Sequence, residues 1–374
     1  MNTEISRRGF AKILGTSAAY AVLRPSLSMS APALRLAGKV SNGAAVVRLS
    51  SNENPYGPSP MALKAMTDAF SLAWRYPDEQ EQVLGEALAK MHSVSSDQIL
   101  VGNGSGEILK VAAAAFTSPG KKLGVGNPTF EAILAHAGAA NAEVVKTDLT
   151  TDYAHDLNKM SAASNDVGLI YICNPNNPTA SITPKDQIRT FLAKMSGQTI
   201  VLIDEAYHHY VESNDYESVI PLVKQYPNLI VARTFSKIYG MAGLRCGYCV
   251  ARPGLVQRMR AQQTWDSVNI MALVAASASL QDVQKVEQGR RLNSEVKKQV
   301  YSELDKLGFK YIPSHSNFLM IDLRREVRPV IAAMRERKVE VGRVFPALPN
   351  FMRVTIGTRP QMDAFTSAFR AVMS

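Results

Sequence analysis

The sequence predicts an α/β fold built on a mostly parallel sheet of seven strands, with a smaller α+β domain beside it. The first observation is that short β-branched apolar runs alternate with helical stretches from about residue 97 to 251, a pattern typical of parallel sheets with crossover helices. The second is size: 374 residues, 46% hydrophobic and 20% charged, suffice for more than one core in a soluble globular protein. The apolar runs lie at 99–102, 122–126, 143–146, 168–173, 199–204, 229–233 and 247–251.

The pattern changes after residue 251. Long helical periodicity follows over 253–280 and 283–307, then a β-like run at 318–322, a helix near 328–337 and a strand at 352–356. These elements predict the smaller domain, and we expect a helix at 61–70 to pack on it. The predicted boundaries are an export signal at 1–33, an N-terminal arm and part of the small domain at 34–70, a large domain at 71–262, and the small C-terminal domain at 263–374.

The first 33 residues have the layout of an export signal. The string SRRGFAK at 6–12 precedes an apolar run at 13–23, and APA at 31–33 has the small-x-small form of a cleavage site. The paired arginines favour the twin-arginine (Tat) route, and the run is too short for stable membrane insertion. We therefore expect the Tat machinery to deliver the folded protein to the periplasm; a basic disordered tail is the alternative.

Charge and cysteine content exclude other classes. Of the net charge of +10, +3 lies in the first 33 residues and the remaining Lys and Arg are scattered, without the aromatic interleaving of a nucleic-acid-binding protein, so we predict no nucleic-acid partner. Cys173, Cys246 and Cys249 are too few for a disulfide framework. The CxxC at 246–249 falls in a predicted buried strand, where its two side chains point to opposite faces. We interpret these residues as core cysteines and predict no metal site.

A glycine-rich segment follows the first predicted strand. The sequence GNGSGE at 102–107 opens a helix over 108–116. Glycines allow the backbone to approach an anion, and the free N–H groups at a helix start bind it. The segment lacks the Gly-Lys-Ser/Thr of a Walker A loop and the last glycine of the dinucleotide-binding fingerprint. Alone, it could be a simple turn.

Polar residues also follow three later strands. DEAY at 204–207 ends one strand, TFSK at 234–237 ends the next, Arg245 lies eight residues beyond Lys237, and PNNPT occupies 175–179. A buried Asp204 would need a cationic partner. Any one of these residues could be structural, but ligands of parallel sheets gather at the carboxyl ends of strands. The ordered combination therefore indicates an active site.

At this point the sequence resembles the fold-type I pyridoxal 5′-phosphate (PLP)-dependent aminotransferases of class I/II, and within them the histidinol-phosphate aminotransferase branch. The resemblance covers about 49–358 and implies an aspartate-aminotransferase-like fold, PLP as cofactor and a homodimer with shared active sites. It is carried by SNENPYG at 51–57, RYP at 75–77, GNGSGE, NPTF at 127–130, PNNPT, DEAY, TFSK, AGLRCG at 242–247 and RVTIG at 353–357.

The resemblance implies roles for the residues around the cofactor ring. Lys237 would hold PLP as a Schiff base and move the substrate proton, and Asp204 would keep the ring nitrogen protonated. Tyr207 and Asn177 would hydrogen-bond the phenolic oxygen, and Phe130 would stack on the ring. We assign catalysis to Lys237, Asp204 and Tyr207.

The same resemblance assigns the phosphate and the substrate. The phosphate site would comprise Gly104, Ser105, Gly106, Thr234, Ser236 and Arg245, with Tyr76 supplied by the neighbouring subunit. Substrate contacts would come from Arg353, which would grip an anionic group in a bidentate pair, and from Tyr56, Asn52 and Arg343. Two positions depart from the family pattern: Ala180 replaces the usual glycine after Asn-Pro-Thr, and Gly106 replaces the usual aspartate.

The predicted reaction is ping-pong amino-group transfer between an amino acid and a 2-oxo acid. We expect an aromatic or imidazole-bearing donor, or one that resembles histidinol phosphate. A decarboxylase or a lyase on the same cofactor is an alternative, because the sequence does not show which Cα bond stands perpendicular to the ring. An exported amino-acid-binding protein is another, although a Schiff-base Lys237 would serve no purpose in binding alone.

Overall fold

A computed structural model of the protein describes residues 46–195 and 197–374. The predicted export signal and the start of the N-terminal arm lie outside these residues. In the described part, no helix is long and apolar enough to span a bilayer. Residues 46–374 form one compact unit, and the proposed domain boundaries stay a prediction.

The strands and helices of the described chain are numbered in chain order. The strands are β1 Val47–Arg48, β2 Ile99–Gly102, β3 Lys122–Asn127, β4 Val144–Asp148, β5 Val167–Cys173, β6 Ile200–Asp204, β7 Leu229–Thr234, β8 Gly247–Ala251, β9 Lys310–Ile312, β10 Phe318–Asp322, β11 Val339–Glu340 and β12 Phe351–Thr355. The helices are α1 Pro60–Ala69, α2 Asp78–His92, α3 Gly104–Phe116, α4 Ala132–Ala139, α5 Leu157–Ala162, α6 Lys185–Lys194, α7 Pro253–Arg260, α8 Ile270–Gln281, α9 Val283–Lys306, α10 Val327–Glu336 and α11 Arg359–Met373.

The largest sheet has seven strands in the order β2-β8-β7-β6-β5-β3-β4. All neighbours are parallel except β8, which is antiparallel to both β2 and β7. Every residue of β5, β6 and β7 is buried, because helices cover both faces of the sheet and apolar runs are needed on each. The predicted seven-stranded, mostly parallel sheet is confirmed.

A second sheet has three antiparallel strands in the order β12-β10-β9. Apolar residues of α9, α10 and α11 pack with this sheet in one hydrophobic cluster. Beside it, β1 pairs in parallel with β11, and the Thr355 backbone N–H donates to the Leu49 carbonyl at 2.9 Å. The chain just after β1 is thereby fixed beside β12, where it reaches the cavity described below.

Two helical predictions differ from the structure. The helix expected over 253–280 is two helices, α7 and α8, separated by 261–269. The interruption ends at Asn269, whose side chain accepts from the Ala272 N–H at 2.9 Å and so caps the start of α8. The helix expected at 61–70 packs mainly on α8, and its Ala62 belongs to the hydrophobic cluster of the large sheet rather than that of the small one.

Candidate active site

A cavity of about 490 Å³ lies at the carboxyl ends of β5, β6 and β7. The parallel register places Asp204 beside Cys173 and beside Ala232, so the segments that follow these strands meet at one edge, as parallel sheets require. Residues just after β1 and on β12 complete the wall. The predicted residues that line the cavity are Asn52, Ser105, Gly106, Phe130, Asn177, Asp204, Tyr207, Thr234, Ser236, Lys237, Arg245 and Arg353.

Lys237 follows β7 and is enclosed by the cavity wall. Its Nζ donates to the backbone carbonyl of Asn52 at 3.0 Å and lies 5.4 Å from the centroid of the Tyr207 ring. Burial, followed by the positive charge of Arg353, lowers the pKa of Lys237 to about 8. A substantial fraction of the amine is therefore neutral near pH 8, as a nucleophile or general base requires.

Asp204 ends β6 and is almost completely buried. Its carboxylate accepts from the Tyr171 hydroxyl at 3.0 Å and from the Ala206 backbone N–H at 3.1 Å. Burial raises the pKa of Asp204 to about 6. Among the described ion pairs, none involves this carboxylate, so a buried acid faces the cavity in need of a cationic partner.

The Tyr207 hydroxyl is held by two amides. Asn52 Nδ2 donates to it at 3.1 Å and Asn177 Nδ2 at 3.4 Å, while the ring packs edge-on against Phe318. Burial raises the pKa of Tyr207, so the phenol stays protonated. Because both amides use its lone pairs, the hydroxyl hydrogen is available to a group in the cavity.

The glycine-rich turn and Arg245 form the opposite end of the cavity. Gly104 has a φ of +72°, and a Cβ at this position would lie 2.5 Å from Nη2 of Arg245. Arg245 also has a left-handed backbone, and its Nη1 donates to the Ser236 hydroxyl at 3.4 Å. The Thr234 hydroxyl donates to the same oxygen at 3.0 Å. The start of α3, a guanidinium and these hydroxyls together suit a phosphate.

Arg353, on β12, closes another side of the cavity. Its Nη1 donates to Asn177 Oδ1 at 2.9 Å and its Nη2 to the Ser50 carbonyl at 2.7 Å. The Nε is buried without a hydrogen-bond partner, and the guanidinium lies 5.1 Å from the Phe345 ring centroid. Burial lowers the pKa of Arg353. This cation contacts only neutral oxygens in the described structure, which leaves it able to bind an anion.

Four predicted residues do not line the cavity. Tyr56 borders a separate small cavity beside Tyr210 and Asn293, because the turn that follows Asn54 directs the chain away. Tyr76 is 78% exposed. Arg343 forms an ion pair with Glu131 at the surface. Tyr56 therefore does not line this cavity, and the predicted roles of Tyr56, Tyr76 and Arg343 stay predictions. Gly104 contributes indirectly, because its lack of a side chain leaves room for the Arg245 guanidinium.

Sequence reasoning missed Tyr171, the hydroxyl donor to Asp204. The residue lies within the buried strand β5. Among the side chains of this strand, only the Tyr171 phenol carries a strong hydrogen-bond donor. A buried tyrosine hydroxyl needs a partner, so a Tyr in a fully apolar run next to a strand ending in Asp was the available signal.

Comparison with known proteins identifies the family. A family model described as aminotransferase class I and II matches residues 44–369. The chain belongs to this family. A histidinol-phosphate aminotransferase of Moorella thermoacetica is 39% identical over 88% of this chain and 86% of its own. The prediction of a PLP-dependent aminotransferase is confirmed.

Solved structures agree with this family assignment. A histidinol-phosphate aminotransferase of Sinorhizobium meliloti, crystallised with pyridoxal 5′-phosphate, is similar with a TM-score of 0.82 at 26% identity, over 88% of this chain and 91% of that one. An aspartate aminotransferase of Thermotoga maritima shares the fold, with a TM-score of 0.79 at 19% identity over 87% and 91% of the two chains. The predicted aspartate-aminotransferase-like fold is confirmed.

The residues of this chain fit the cofactor. Asp204 is a buried acid suited to a pyridinium nitrogen, Tyr207 has a free hydroxyl hydrogen, Lys237 is a partly neutral amine, and Arg245 beside the start of α3 suits a phosphate. When bound, PLP supplies an electron sink for charge at the substrate Cα. The protein's contribution would be to orient the substrate through Arg353 and to hold and move a proton at Nζ of Lys237.

Proposed function

We propose that this aminotransferase moves an amino group from an aromatic or imidazole-bearing amino acid to a 2-oxo acid. The observation that carries the proposal is Arg353, a buried guanidinium without an acidic partner in the described structure and with an unsatisfied Nε. A substrate carboxylate would supply the missing charge and acceptors. Binding there brings the substrate Cα toward the amine of Lys237, which lines the same cavity.

Flat apolar surface near Arg353 supports an aromatic side chain. Phe130 lines the same cavity as Arg353 and is 37% exposed. Aromatic side chains gain from offset or edge-on packing with such a ring. This surface favours a ring-bearing donor over a short acidic one.

Histidinol phosphate is the second candidate substrate. Curated relatives, including the one from Moorella thermoacetica, are named histidinol-phosphate aminotransferase, and two arginines flank Phe345, with Arg343 at 4.3 Å and Arg353 at 5.1 Å from its centroid. Two guanidinium groups suit a phosphate. In this alternative, Arg353 binds the phosphate in place of a carboxylate.

A donor comparison decides between the two candidates. The measurement is kcat/KM of the PLP-loaded enzyme for phenylalanine, tyrosine, histidine, aspartate and histidinol phosphate with one 2-oxo acid acceptor. We expect the three ring-bearing amino acids to be preferred. A hundredfold preference for histidinol phosphate or for aspartate would reject our proposal. Release of CO₂ or of a β-substituent in place of transamination would support the decarboxylase or lyase alternative.

We further propose that the enzyme is a homodimer in which Tyr76 completes the partner's phosphate site. Tyr76 is one of several strongly exposed aromatic side chains, and exposed apolar surface is typical of an interface. Trp265 is 90% exposed and borders a surface groove of about 700 Å³ with Arg260 and Glu81. The exposed aromatic residues are Phe70, Trp74, Tyr76 and Trp265.

Mixed dimers test this sharing. Lys237→Ala and Tyr76→Ala are each expected to impair both sites of their own homodimer. Mixing the two variants through a reversible denaturation step would place both defects in one site of a hybrid and leave the other site intact. We expect activity to return toward about a quarter of the wild-type value for random pairing. Failure to recover activity, or a monomer in light scattering, would contradict shared sites.

We propose that the twin-arginine route exports the protein to the periplasm with PLP already bound. The string at 6–12 supports the route, and a folded export pathway suits a protein that acquires a cytoplasmic cofactor. Replacing Arg7 and Arg8 with lysine should retain the protein in the cytoplasm, as measured by cell fractionation. Unchanged export of that variant would show that another route operates.

A further inference from the structure

An ion pair beside the cavity involves Glu131, a residue that has no part in the functions above. Arg343 pairs with Glu131 across 212 positions of sequence. Glu131 lies between Phe130 and Ala132, both of which line the cavity. It also precedes the first residue of α4. The carboxylate therefore lies beside the substrate side of the cavity, which comprises Phe130 and Arg353.

The guanidinium of Arg343 is the second cation on that side. It lies 4.3 Å from the centroid of Phe345, the ring that also contacts Arg353. The positive charge of Arg343 contributes to the lowered pKa of Arg353, after burial, the larger cause. Arg343 is thus close enough to Arg353 to influence an anion bound there, although Glu131 neutralises part of its charge.

We propose that Glu131 restrains Arg343 and thereby sets how strongly the enzyme discriminates against substrates with a second anionic group. This inference rests on the proposed function, in which Arg353 binds the first anionic group. A monoanionic aromatic amino acid leaves the pair of Arg343 and Glu131 intact. A dicarboxylate or a phosphate ester needs a second cation, and Arg343 serves only after it leaves Glu131.

Exposure of the pair makes this exchange feasible. The side chains of Arg343 and Glu131 are 53% and 48% exposed, so neither is locked in a packed core, and exposed pairs contribute little stability. Removing the negative charge of Glu131 also removes its repulsion of a substrate that carries a second anionic group. Glu131 is therefore a positioning residue that acts through Arg343, without itself touching the reacting atoms.

The test measures the first half-reaction of the PLP-loaded enzyme by the absorbance of the cofactor, without an acceptor. Two donors are compared: aspartate, which has a second carboxylate, and phenylalanine, which has none. Glu131→Gln should raise the aspartate-to-phenylalanine ratio of kcat/KM by about two- to fivefold, the range expected for loss of one exposed ion pair. The change should appear in KM, and the affinity for succinate relative to 3-phenylpropionate should rise in parallel.

Two controls separate the mechanism from a general charge effect. Glu143→Gln removes the same charge from another exposed ion pair, with Lys122 at 3.1 Å, and should leave the ratio unchanged. In an Arg343→Gln background, Glu131→Gln should lose most of its effect. An unchanged ratio in Glu131→Gln, an equal rise in Glu143→Gln, or a full rise without Arg343 would overturn the inference. Wild-type preference for aspartate would instead reject the proposed donor and leave the effect of Glu131 measurable.

Discussion

The two sides of the cavity are built differently. The cofactor side comprises Lys237, Asp204, Ser236 and Arg245. Asp204 ends β6, Ser236 and Lys237 follow β7, both of which are fully buried strands, and Arg245 lies just before β8. The substrate side, comprising Phe130, Glu131, Arg343 and Arg353, includes half-exposed side chains contributed by the start of α4 and by the segments around β11 and β12. A rigid sheet thus fixes the groups expected to hold the cofactor, whereas the pair of Glu131 and Arg343, which we propose affects substrate choice, is exposed where substitution disturbs little packing.

The largest expected effect is on the cofactor side. Lys237→Ala should lower turnover by about four orders of magnitude or more, because one residue is both covalent anchor and proton carrier. Borohydride reduction followed by peptide mapping should find the cofactor on Lys237. Lys297 is a natural control, because burial also lowers its pKa to about 8, yet its Nζ donates to the Ser314 carbonyl outside the cavity. Adduct on Lys297 would refute the assignment.

On the substrate side, Arg353→Gln should weaken carboxylate substrates. Loss of a buried charge-assisted contact costs about 2–5 kcal/mol, or roughly 30-fold to several-thousand-fold in kcat/KM. PLP binding, measured by titration of the apoprotein, should change far less. Arg370→Gln, at an exposed ion pair, is the control. An equal loss for an amine donor without a carboxylate would argue against anion binding by Arg353.

Asp204→Asn should stabilise the apoprotein at pH 8 and impair the enzyme. Burial raises the folded-state pKa of Asp204 from 3.8 to about 6, so its stability contribution is fully present below about pH 4 and is lost as pH rises through 6. Asparagine does not ionise, so Asp204→Asn avoids this loss. The free energy of unfolding should rise by at most about 3 kcal/mol at pH 8. Urea unfolding should show a gain at pH 8 that shrinks toward pH 4. A pH-independent gain would rule out titration of Asp204 as the cause.

The smallest effect is expected at Ala180, behind the cofactor side. This residue has a φ of +60°, so Ala180→Gly relieves backbone strain but adds freedom to the unfolded chain and removes a packed methyl group. The free energy of unfolding should change by less than about 1 kcal/mol. Ala112→Gly, in the helical interior of α3, should lose about 1 kcal/mol or more. Thermal unfolding of both variants checks the difference.

The same contrast explains what the sequence could predict. Strands β2 and β8 have the predicted bounds. Each is a continuous apolar run beside a glycine-rich turn, which leaves few other positions at which the strand could begin or end. Asp204 and Lys237 were predictable because parallel strands bring their carboxyl ends together. The same rule predicts that both side chains are enclosed and that they line one cavity.

Long-range side-chain partners were not predictable in this way. No local pattern pairs Glu131 with Arg343, because their contact depends on how the segment around β11 lies beside α4. The break between α7 and α8 was missed because no glycine or proline interrupts 261–269. Tertiary contact, and the cap at Asn269, override the periodicity there.

The short pairing of β1 with β11 has a consequence for any proteolytic cut near the N-terminus. It fixes the chain at 49–52, whose Ser50 and Asn52 carbonyls receive hydrogen bonds from Arg353 and Lys237. A protease that trims the chain before residue 46 leaves these acceptors in place. One that cuts after residue 52 removes both, and Arg353 and Lys237 then lose these two hydrogen-bond acceptors. The tolerated margin for trimming is therefore set by the active site, and N-terminal sequencing of active and inactive fractions would locate it.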